Sequence, residues 1–477
     1  MSLDHNDADH YDLVVIGSGP AGEKGAAQAA YHGKRVAIVE WGPDLGGTPA
    51  ATGGMPSKAL RETALYVSGW RKRDVYGVSL ELDPVAAFER LKGRATEIST
   101  AMSEAVRDNV TRHRIDLVRG RARLAPEGRV RVTSDDEERV LDAHVTLVAT
   151  GSRPLRPPGI PFNGHTVLDS DEILRLDQPF GSMVIVGAGP VGCEYASIFA
   201  AVGVEVHLVE QSRRLLPILD AEIARLLEAS LRRSGLELAL GCGISRLDDD
   251  GDSLVVELDG GRVLHPDRLL FAAGRVSNTE DLGLETAGVE VDAGGRILVD
   301  ERFRTTAEHV YAAGDVIGPP ALASVSMEQA RVAMCDAFGI PLKQAVDRLP
   351  PVAVYTIPEA AGVGMTEDAA RDAGVHYEVG RGWFERNPRA VIAGDTEGLV
   401  KLVCDRQTGR LLGVHIFGDD AAELVHHGQA VIRHGGNIEE FVHATFNVPT
   451  RTDAYKYAAY DALTHLEVRA AFGDVAG

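Results

Sequence analysis

The residues of this chain best suited to chemistry are glycines and carboxylates placed around two turns. The first turn is Gly17-x-Gly19-x-x-Gly22. Its first glycine permits a tight turn, its second lets the backbone approach a pyrophosphate, and its third lets a helix pack closely against a strand. Glu40 follows 18 residues after Gly22, where a carboxylate can accept hydrogen bonds from an adenosine ribose. The pattern predicts a dinucleotide site, with the phosphates on the amides that open the following helix.

The same pattern occurs a second time. Residues 182–210 align with residues 12–40 without a gap, each position displaced by 170. The repeated positions are Gly187, Gly189, Gly192 and Glu210. Two dinucleotide sites in one chain imply two dinucleotides, and the pair we expect is an electron donor and a flavin.

Each turn must be positioned by a strand before it, a helix after it and a second strand. In the first unit the apolar runs 13–16 and 36–39 predict buried parallel strands. An ordinary βαβ unit whose glycines serve only packing is the alternative interpretation. The acidic residue at the expected distance favours the dinucleotide site.

Three further segments predict a strand that runs into a turn. Residues 147–154 and 269–278 each end in a glycine turn, and a proline-rich stretch after the first of them predicts a domain crossover. Residues 310–316 predict a strand into a Gly-Asp turn. Asp315 in that turn can hold a ribityl hydroxyl or, through water, a phosphate. The alternative is a turn residue that bonds only its own backbone.

The sequence changes character from about residue 350. Apolar or alternating runs at 398–405 and 411–418 predict strands, and residues 421–434 and 454–465 predict helices. No phosphate-binding loop occurs in this stretch. We therefore expect a third domain that packs against a partner subunit.

Composition excludes several classes of function. The formal net charge of −21 argues against nucleic acid and anionic membrane as partners. The N-terminus shows no apolar signal segment, and no apolar run reaches the roughly 18 residues that a membrane helix needs. The four cysteines are scattered without CxxC spacing, and the histidines show no ligand spacing with them. A cytoplasmic protein without a metal site is predicted.

Six motifs together resemble those of the flavoprotein disulfide reductases, which include dihydrolipoamide, glutathione and mercuric reductases. They are GSGPAG at 17–22, GGT and PSK within 46–58, ATG at 149–151, GAGPVGCE at 187–194, AAGR at 272–275 and AAGD at 312–315. They occur in the order and spacing of that family. The resemblance implies an α/β fold with two Rossmann-like dinucleotide-binding domains, for FAD and NAD(P), and a C-terminal α+β dimerisation domain.

The resemblance also implies domain boundaries. The FAD-binding domain is expected at residues 1–154 and 276–348, the NAD(P)-binding domain at 155–275, and the interface domain at 349–477. A homodimer is expected, with higher homo-oligomers left open.

The stretch LGGTPAATGGMPSKAL at 45–60 departs from the family pattern. In disulfide-reducing members it holds two redox cysteines, separated by four residues, against the flavin. Here these positions are Pro49 and Gly54. A thiolate relay needs sulfur, so we expect no dithiol chemistry. The histidine and glutamate that act as the acid–base pair in those members are replaced by Val448 and Asp453.

His443 lies near these two positions in the sequence. It is a possible substitute for the missing acid–base histidine, and an interface or surface histidine is the alternative that we favour.

Within the family, the soluble, Si-specific pyridine nucleotide transhydrogenases are the group that the chain resembles most. The similarity lies in residues 193–199, 314–324 and 445–455. Members of that group commonly keep one of the two cysteines, whereas this chain keeps neither. That departure leaves room for a different activity.

The resemblance places the Lys58 ammonium beside flavin N5, with Glu194 as its partner and as a wall of the nicotinamide pocket. A desolvated cation there stabilises the negative charge of reduced flavin, so the pair is expected to tune hydride transfer. The alternative is two exposed helix charges worth less than about 1 kcal/mol. The motifs imply these further cofactor-binding residues: Pro20, Ala21, Gly46, Gly47, Thr48, Ala122, Thr150, Gly151, Pro190, Val191, Gln211, Gly274, Gly314, Leu322, Ala323 and Ser324.

The second site gives mixed signals about its nucleotide. Glu210 favours an unphosphorylated ribose, because a carboxylate repels a 2′-phosphate. Arg213 and Arg214 follow directly and can pair with that phosphate. Two solvated arginines after a strand are the alternative. Both NAD(H) and NADP(H) are therefore expected.

Three functions are compatible with these residues. In the first, an oxidised nucleotide replaces the spent one and takes the hydride back from the flavin, which is ping-pong transhydrogenation between NADPH and NAD⁺. The second is an NAD(P)H:quinone or dye reductase that uses the vacated disulfide side of the flavin. The third, from another class, is a flavin- and nucleotide-sensing subunit with little turnover.

Overall fold

The structure is a computed structural model that describes residues 9–69, 75, 77, 83–134, 137–176, 178–251 and 253–466. The first elements are β1 (His10–Ile16), α1 (Pro20–Tyr31), β2 (Val36–Glu40), α2 (Gly47–Ala51), α3 (Met55–Ser68), α4 (Pro84–Arg112), β3 (Asp116–Arg119), β4 (Arg121–Ala125), β5 (Arg129–Thr133), β6 (Glu138–Val148) and β7 (Ser152–Pro154). There follow β8 (Val167–Asp169), β9 (Ser182–Val186), α5 (Pro190–Ala201), β10 (Glu205–Glu210), α6 (Ala221–Arg233), β11 (Glu237–Leu240), β12 (Ile244–Asp249), β13 (Leu254–Leu258), β14 (Val263–Leu264), β15 (Arg268–Phe271) and β16 (Arg275–Ser277). The last are β17 (Val310–Ala312), α7 (Ala323–Ala337), β18 (Val352–Val354), β19 (Ala360–Gly364), α8 (Glu367–Asp372), β20 (Tyr377–Trp383), α9 (Pro388–Ala393), β21 (Leu399–Asp405), β22 (Leu411–Phe417), α10 (Ala421–Arg433), α11 (Glu439–His443) and α12 (Ala454–Leu463).

The first unit is built on a seven-stranded sheet in which β1 lies between β2 and β6, parallel to both. Residues 13–15 of β1 are fully buried, as expected for an apolar strand covered on both faces. The parallel part runs β3-β2-β1-β6, and β5 and β4 continue it antiparallel. β17 pairs with β6. Chain that follows the second unit therefore completes the first sheet.

The second unit repeats this arrangement. Its five-stranded parallel sheet has the order β11-β10-β9-β15-β8, and a small antiparallel sheet of β12, β13 and β14 lies beside it in sequence. α5 occupies the positions of α1 displaced by 170, and β9 and β10 correspond in the same way to β1 and β2. The sequence repeat is thus confirmed as a structural repeat, and the two Rossmann-like units predicted from it are present.

The two units are joined by a pair of short strands. β7 leaves the first unit and β16 returns to it, and they pair antiparallel with Ser152 opposite Ser277. The proline-rich residues 155–160 after β7 form neither helix nor strand. The chain crosses between the units here, and the stated domain boundaries stay a prediction.

The C-terminal part is a five-stranded antiparallel sheet, β18-β19-β22-β21-β20, with α10 and α12 packed on it. The predicted strands and helices of this α+β unit are confirmed. α10 and α12 end one and two residues earlier than predicted. Gly435, with φ +68°, follows α10 and stops it.

A buried ion cluster ties this sheet to the second unit. Lys401 of β21 is fully buried, and its ammonium lies 2.7 Å from Asp220 Oδ1 and 3.0 Å from Glu222 Oε2 and also bonds to Glu367. Burial raises the pKa of Asp220, but the hydrogen bond and charge of Lys401, the charge of His415 and the Glu367 N–H together hold that pKa below its ordinary value. In the part of the chain that the structure describes, no helix has the length and apolar character to cross a bilayer.

Candidate active site

Two of the three glycines in the first turn are required by the packing of the chain itself. Gly17 has φ +101°, and a Cβ there would lie 2.5 Å from the Ala149 carbonyl oxygen. A Cβ at Gly22 would lie 1.9 Å from the Gly17 oxygen. At Gly19 the nearest atom to such a Cβ is the Gly47 Cα, 3.9 Å away. Packing does not explain Gly19, and the space beside its backbone is what the close approach of a phosphate would need.

Glu40, the carboxylate predicted to hold a ribose, is fixed beside this turn. Its Oε2 accepts hydrogen bonds from the Ser18 N–H at 2.9 Å and the Ser18 hydroxyl at 2.7 Å, and its Oε1 accepts from the Gly42 N–H at 2.9 Å. Oε1 accepts only one of these three bonds, so a lone pair remains on it for a ribose hydroxyl. Ala122 lies in β4. Just before this strand, the Gly120 N–H donates to the Glu40 carbonyl at 3.1 Å, which brings β4 close to the end of β2.

The start of α2 covers the first turn. Gly46 and Gly47 have φ of +96° and +60°. A Cβ at Gly47 would lie 3.0 Å from the Gly19 Cα, and the Gly46 N–H donates to the Ser18 hydroxyl at 3.1 Å. These two glycines therefore let a second backbone segment lie directly over the turn.

A polar network links Asp315 to this segment. The Ser152 hydroxyl donates to Asp315 Oδ2 at 2.7 Å and accepts from Arg275 Nε at 2.8 Å, and Arg275 Nη2 donates to the Thr48 hydroxyl at 3.4 Å. The Asp315 carboxylate is thus oriented by the Ser152 side chain of β7. A turn residue that bonded only its own backbone would not make this contact.

The starts of α1 and α7 converge next to Asp315. α1 begins at Pro20, and a Cβ at Gly314 would lie 3.3 Å from the Ala21 Cβ. The Gly314 N–H donates to Gln329 of α7 at 2.8 Å. The predicted residues at the start of α7 are Leu322, Ala323 and Ser324.

Three predicted residues lie at the crossover between the units. The Thr150 hydroxyl donates to the Asn278 carbonyl at 2.7 Å, and the Asn278 amide donates back to the Thr150 carbonyl at 2.9 Å. Gly151 and Gly274 both have positive φ, +69° and +141°. The Thr150 side chain thus joins the two crossing segments.

The glycines of the second turn are under the same packing constraints as those of the first. A Cβ at Gly187 would lie 2.8 Å from the Ala272 oxygen, and one at Gly192 would lie 1.8 Å from the Gly187 oxygen. At Gly189, apart from its neighbours along the chain, no atom of the described residues lies within 4 Å of such a Cβ. The predicted residues Pro190 and Val191 open α5 directly after it.

Glu210 is held like Glu40. Its Oε2 accepts from the Ala188 N–H and its Oε1 from the Ser212 N–H, each at 2.7 Å. Both turns, each with a glycine that packing does not require and an anchored carboxylate, fit the adenosine diphosphate part of a dinucleotide.

The structure separates the two arginines that follow Glu210. Arg214 donates to Asp368 and to the Pro217 carbonyl, each at 3.1 Å. Arg213 is exposed, with its Cγ 3.4 Å from a Cβ built at Gly241, and its guanidinium makes no ion pair or hydrogen bond with a described residue. The predicted residue Gln211 is exposed beside them. The Arg213 guanidinium is thus not held by any described residue, whereas Asp368 and the Pro217 carbonyl hold that of Arg214.

Lys58 of α3 and Glu194 of α5 meet between the two units. Lys58 Nζ lies 2.6 Å from Glu194 Oε2 and 3.3 Å from the Ser57 hydroxyl. The Glu194 side chain is 8% exposed and that of Lys58 30%. The pair is therefore not two exposed helix charges, and its partial burial strengthens the attraction.

Pro49 and Gly54, the two positions that the resemblance aligns with redox cysteines, are in contact in this chain. A Cβ at Gly54 would lie 2.6 Å from the Pro49 Cα. The two residues thus lie next to each other at the start of α3, and neither carries sulfur. At the C-terminal end of the chain, Val448 is exposed, Asp453 is buried and His443 is exposed at the end of α11.

The four cysteines are free, and three of them, Cys193, Cys335 and Cys404, are buried. Burial raises the pKa of the Cys193 thiol and raises that of Cys404 to about 12. Both thiols stay protonated at neutral pH and are poor nucleophiles.

Sequence reasoning misses four residues of the site: Ser18, Ser152, Arg275 and Tyr355. Ser18 carries a signal, because it is a point at which the two repeats differ, with Ala188 in the second. Arg275 closes the AAGR motif, in which only the glycine is predicted to bind. Tyr355 has no local signal, since its N–H donates to Glu194, 161 residues away.

Comparison with known proteins agrees with this geometry. Residues 11–334 match the pyridine nucleotide-disulphide oxidoreductase family, and residues 350–459 match its dimerisation domain, which indicates a homodimer. The chain is 42% identical over 460 residues to a protein of Mycobacterium tuberculosis named soluble pyridine nucleotide transhydrogenase, covering 96% of this chain and 98% of that one. It is 38% identical to a protein of the same name from Marinobacter nauticus, covering 96% and 99%.

Solved structures show the same fold. The HOCl-induced flavoprotein disulfide reductase RclA from Escherichia coli superposes with a TM-score of 0.85 at 28% identity, over 94% of this chain and 99% of that one. LpdA from Mycobacterium tuberculosis gives a TM-score of 0.86 at 27% identity, with the same coverage. The chain therefore belongs to the pyridine nucleotide-disulphide oxidoreductase family and, within it, to the group of soluble pyridine nucleotide transhydrogenases.

Proposed function

We propose that this chain is an FAD-dependent enzyme that transfers hydride between NADPH and NAD⁺ by a ping-pong route, without a redox disulfide. One observation carries the proposal: the Lys58–Glu194 ion pair is complete, while Pro49 and Gly54, which the resemblance aligns with the cysteine pair, are in contact and carry no sulfur. The full-length relatives named soluble pyridine nucleotide transhydrogenase support it.

The first unit has the residues to hold the flavin cofactor. FAD, when bound, supplies a two-electron carrier that takes a hydride from one nicotinamide and gives it to another. The first glycine turn and Glu40 would hold its adenosine diphosphate part, and Asp315 would accept from its ribityl hydroxyls. The cover formed by Gly46 and Gly47 makes this a closed cradle, suited to a cofactor that stays bound.

The Lys58 ammonium supplies a fixed positive charge at the meeting point of the two units. Glu194 orients it from a buried position, and a preorganised cation stabilises negative charge that develops during reduction. An ammonium has three donors. Glu194 and Ser57 receive two of them, so one is left for the reacting partner.

The second unit has the residues to bind nicotinamide nucleotides in turn. Among the residues that the structure describes, none covers Gly189 as Gly47 covers Gly19, which suits a ligand that exchanges. Glu210 can accept from the ribose hydroxyls of NAD(H), and Arg213 can pair with the 2′-phosphate of NADP(H). One site therefore serves donor and acceptor.

The remaining residues fit a reaction that needs neither dithiol nor proton transfer. Proline and glycine cannot take electrons, so a hydride accepted in this site leaves with a second nucleotide. NADPH and NAD⁺ become NADP⁺ and NADH with no net uptake of a proton. Val448, in the place of the catalytic histidine of disulfide-reducing members, is therefore no obstacle.

Double-mixing stopped-flow spectrophotometry tests the proposal. The enzyme is first reduced anaerobically with NADPH, and then mixed with NAD⁺ or with a soluble quinone. We expect fast flavin reoxidation by NAD⁺, slower reoxidation by the quinone, and no useful oxidation of dihydrolipoamide in the steady state. Rapid turnover of the quinone alone would favour the quinone reductase, and a flavin that no acceptor reoxidises would favour the sensing subunit.

A further inference from the structure

The Lys58–Glu194 pair is also contacted by Tyr355, which follows β18 in the C-terminal sheet. The Tyr355 N–H donates to Glu194 Oε1 at 2.9 Å. Its ring lies under the Lys58 ammonium, with Nζ 5.0 Å from the ring centroid. One residue of the C-terminal part thus holds the carboxylate through its backbone and the cation through its side chain.

The segment that carries Tyr355 is bonded to the same two helices as the pair. The Thr356 carbonyl accepts from Arg61 Nε at 2.9 Å, and Arg61 lies one turn after the lysine on α3. The Ile357 N–H donates to the Ser197 hydroxyl at 3.2 Å, and Ser197 lies one turn after the glutamate on α5. Thr356 and Ile357 are buried. These bonds fix the backbone that carries the Tyr355 ring next to the two helices.

The ring can act on the ammonium through its electron-rich face. Burial raises the pKa of Tyr355, so the phenol stays neutral and its face keeps the negative character that attracts a cation. The ring also shields one side of Lys58 from water, and this strengthens the interaction of Lys58 with Glu194.

We propose that Tyr355 is a positioning residue for hydride transfer, fixing the direction of the Lys58 ammonium with its ring and that of Glu194 with its N–H. Tyr355 takes no part in bond making. Because it belongs to the dimerisation domain, the seating of that domain sets the geometry of the pair. This inference rests on the proposed function, since Lys58 acts on the flavin only when FAD is bound beside it.

The test uses the FAD-loaded variants Tyr355→Phe and Tyr355→Leu. Flavin reduction by NADPH is followed by anaerobic stopped flow, and the flavin midpoint potential is measured by equilibration with a reference dye. We expect the phenylalanine variant to keep most of the wild-type rate. The leucine variant should be about tenfold slower, with an unchanged apparent Kd for NADPH and a more negative potential. Tyr377→Leu, on β20 of the same domain, is the matched control and should change neither quantity.

Two results would overturn the assignment. One is a leucine variant with wild-type rate and potential, and the other is a phenylalanine variant as slow as the leucine variant, which would assign the effect to the hydroxyl. If the leucine variant is isolated without FAD, Tyr355→Trp and Tyr355→His replace it. Rates in the order Trp, Tyr, His then support the inference, and rates without that order contradict it. If NADPH does not reduce the flavin of the wild-type enzyme, the proposed function is refuted. The flavin midpoint potentials of the variants then still decide the role of Tyr355.

Discussion

The two glycine turns have the same local structure, and they differ in the segments of the chain that surround them. In both, the residue after the first glycine donates its N–H to the strand carboxylate, at 2.9 Å from Ser18 to Glu40 and 2.7 Å from Ala188 to Glu210. The first turn is covered by Gly47, and the hydroxyl of Ser18 bonds both Glu40 and the covering segment. In the described part of the chain no segment covers the second turn in this way, and Ala188 has no hydroxyl. Under the proposed function, this difference suits the first turn to a cofactor that stays bound and the second to a nucleotide that exchanges.

Replacing the cation between the two units should have the largest effect. We expect Lys58→Ala to bind FAD normally and to slow flavin reduction by NADPH about 100-fold, since a preorganised charge is lost. Stopped-flow absorbance of the flavin measures the rate. Glu194→Gln keeps a hydrogen-bond acceptor for the lysine and should cost less. Unchanged reduction kinetics in Lys58→Ala would remove its assigned role.

Matched glycine substitutions should separate the functions of the two turns. Gly22→Ala and Gly192→Ala introduce the same clash, with a Cβ 1.9 or 1.8 Å from a carbonyl oxygen. Overpacking of about 1–3 kcal/mol should lower FAD content in the first variant and weaken NADPH binding about 10- to 100-fold in the second, with FAD retained. Flavin absorbance per polypeptide and the NADPH concentration dependence of reduction measure both. Equal loss of FAD in the two variants would contradict the assignment of FAD to the first turn and NADPH to the second.

The two arginines should differ in their effect on nucleotide choice. Arg213→Ala should raise the Kd for NADPH about tenfold and leave that for NADH unchanged, because a charge-assisted hydrogen bond to the 2′-phosphate is lost. Arg214→Ala should not discriminate between the nucleotides, since Asp368 already holds that side chain. The first repeat has Pro43 and Asp44 at these positions and so no cation for a 2′-phosphate. Calorimetric titration with adenosine 2′,5′-bisphosphate and with ADP checks the assignment, and equal losses for both ligands would refute it.

Exchanging the residue after the first glycine should give the smallest effect. Ser18→Ala makes the first turn like the second and removes bonds to Glu40 and to the Gly46 N–H. A loss of about 1–2 kcal/mol should release FAD several-fold faster, as seen by flavin fluorescence on dilution. The reverse change, Ala188→Ser, should be close to neutral. A Ser18→Ala variant with unchanged FAD release would show that the hydroxyl does not help to close the cradle.

Local pattern was enough to predict the repeat, the two sheets and the glycine turns. Strand periodicity and glycine spacing are properties of a few neighbouring residues, so β1, α1 and β2 and their copies follow from the sequence. The meeting of Lys58 and Glu194 rests on family resemblance, because 136 residues separate them.

The long-range side-chain contacts could not be predicted from the sequence. Lys401 gives no sign in its own strand that it pairs with carboxylates of the second unit, and nothing near Tyr355 points to Lys58. The division between Arg213 and Arg214 depends on Asp368, which the third domain supplies. Such contacts are set by how units pack, and a single sequence holds no pattern for that.

The central claim is that no sulfur pair stores electrons beside the flavin, so that each hydride must leave with another molecule. Anaerobic titration of the purified enzyme with dithionite, followed by flavin absorbance, tests it most directly. The account predicts full reduction by one two-electron equivalent per flavin, with no intermediate. Uptake of two equivalents, with a long-wavelength thiolate–flavin charge-transfer band after the first, would contradict it.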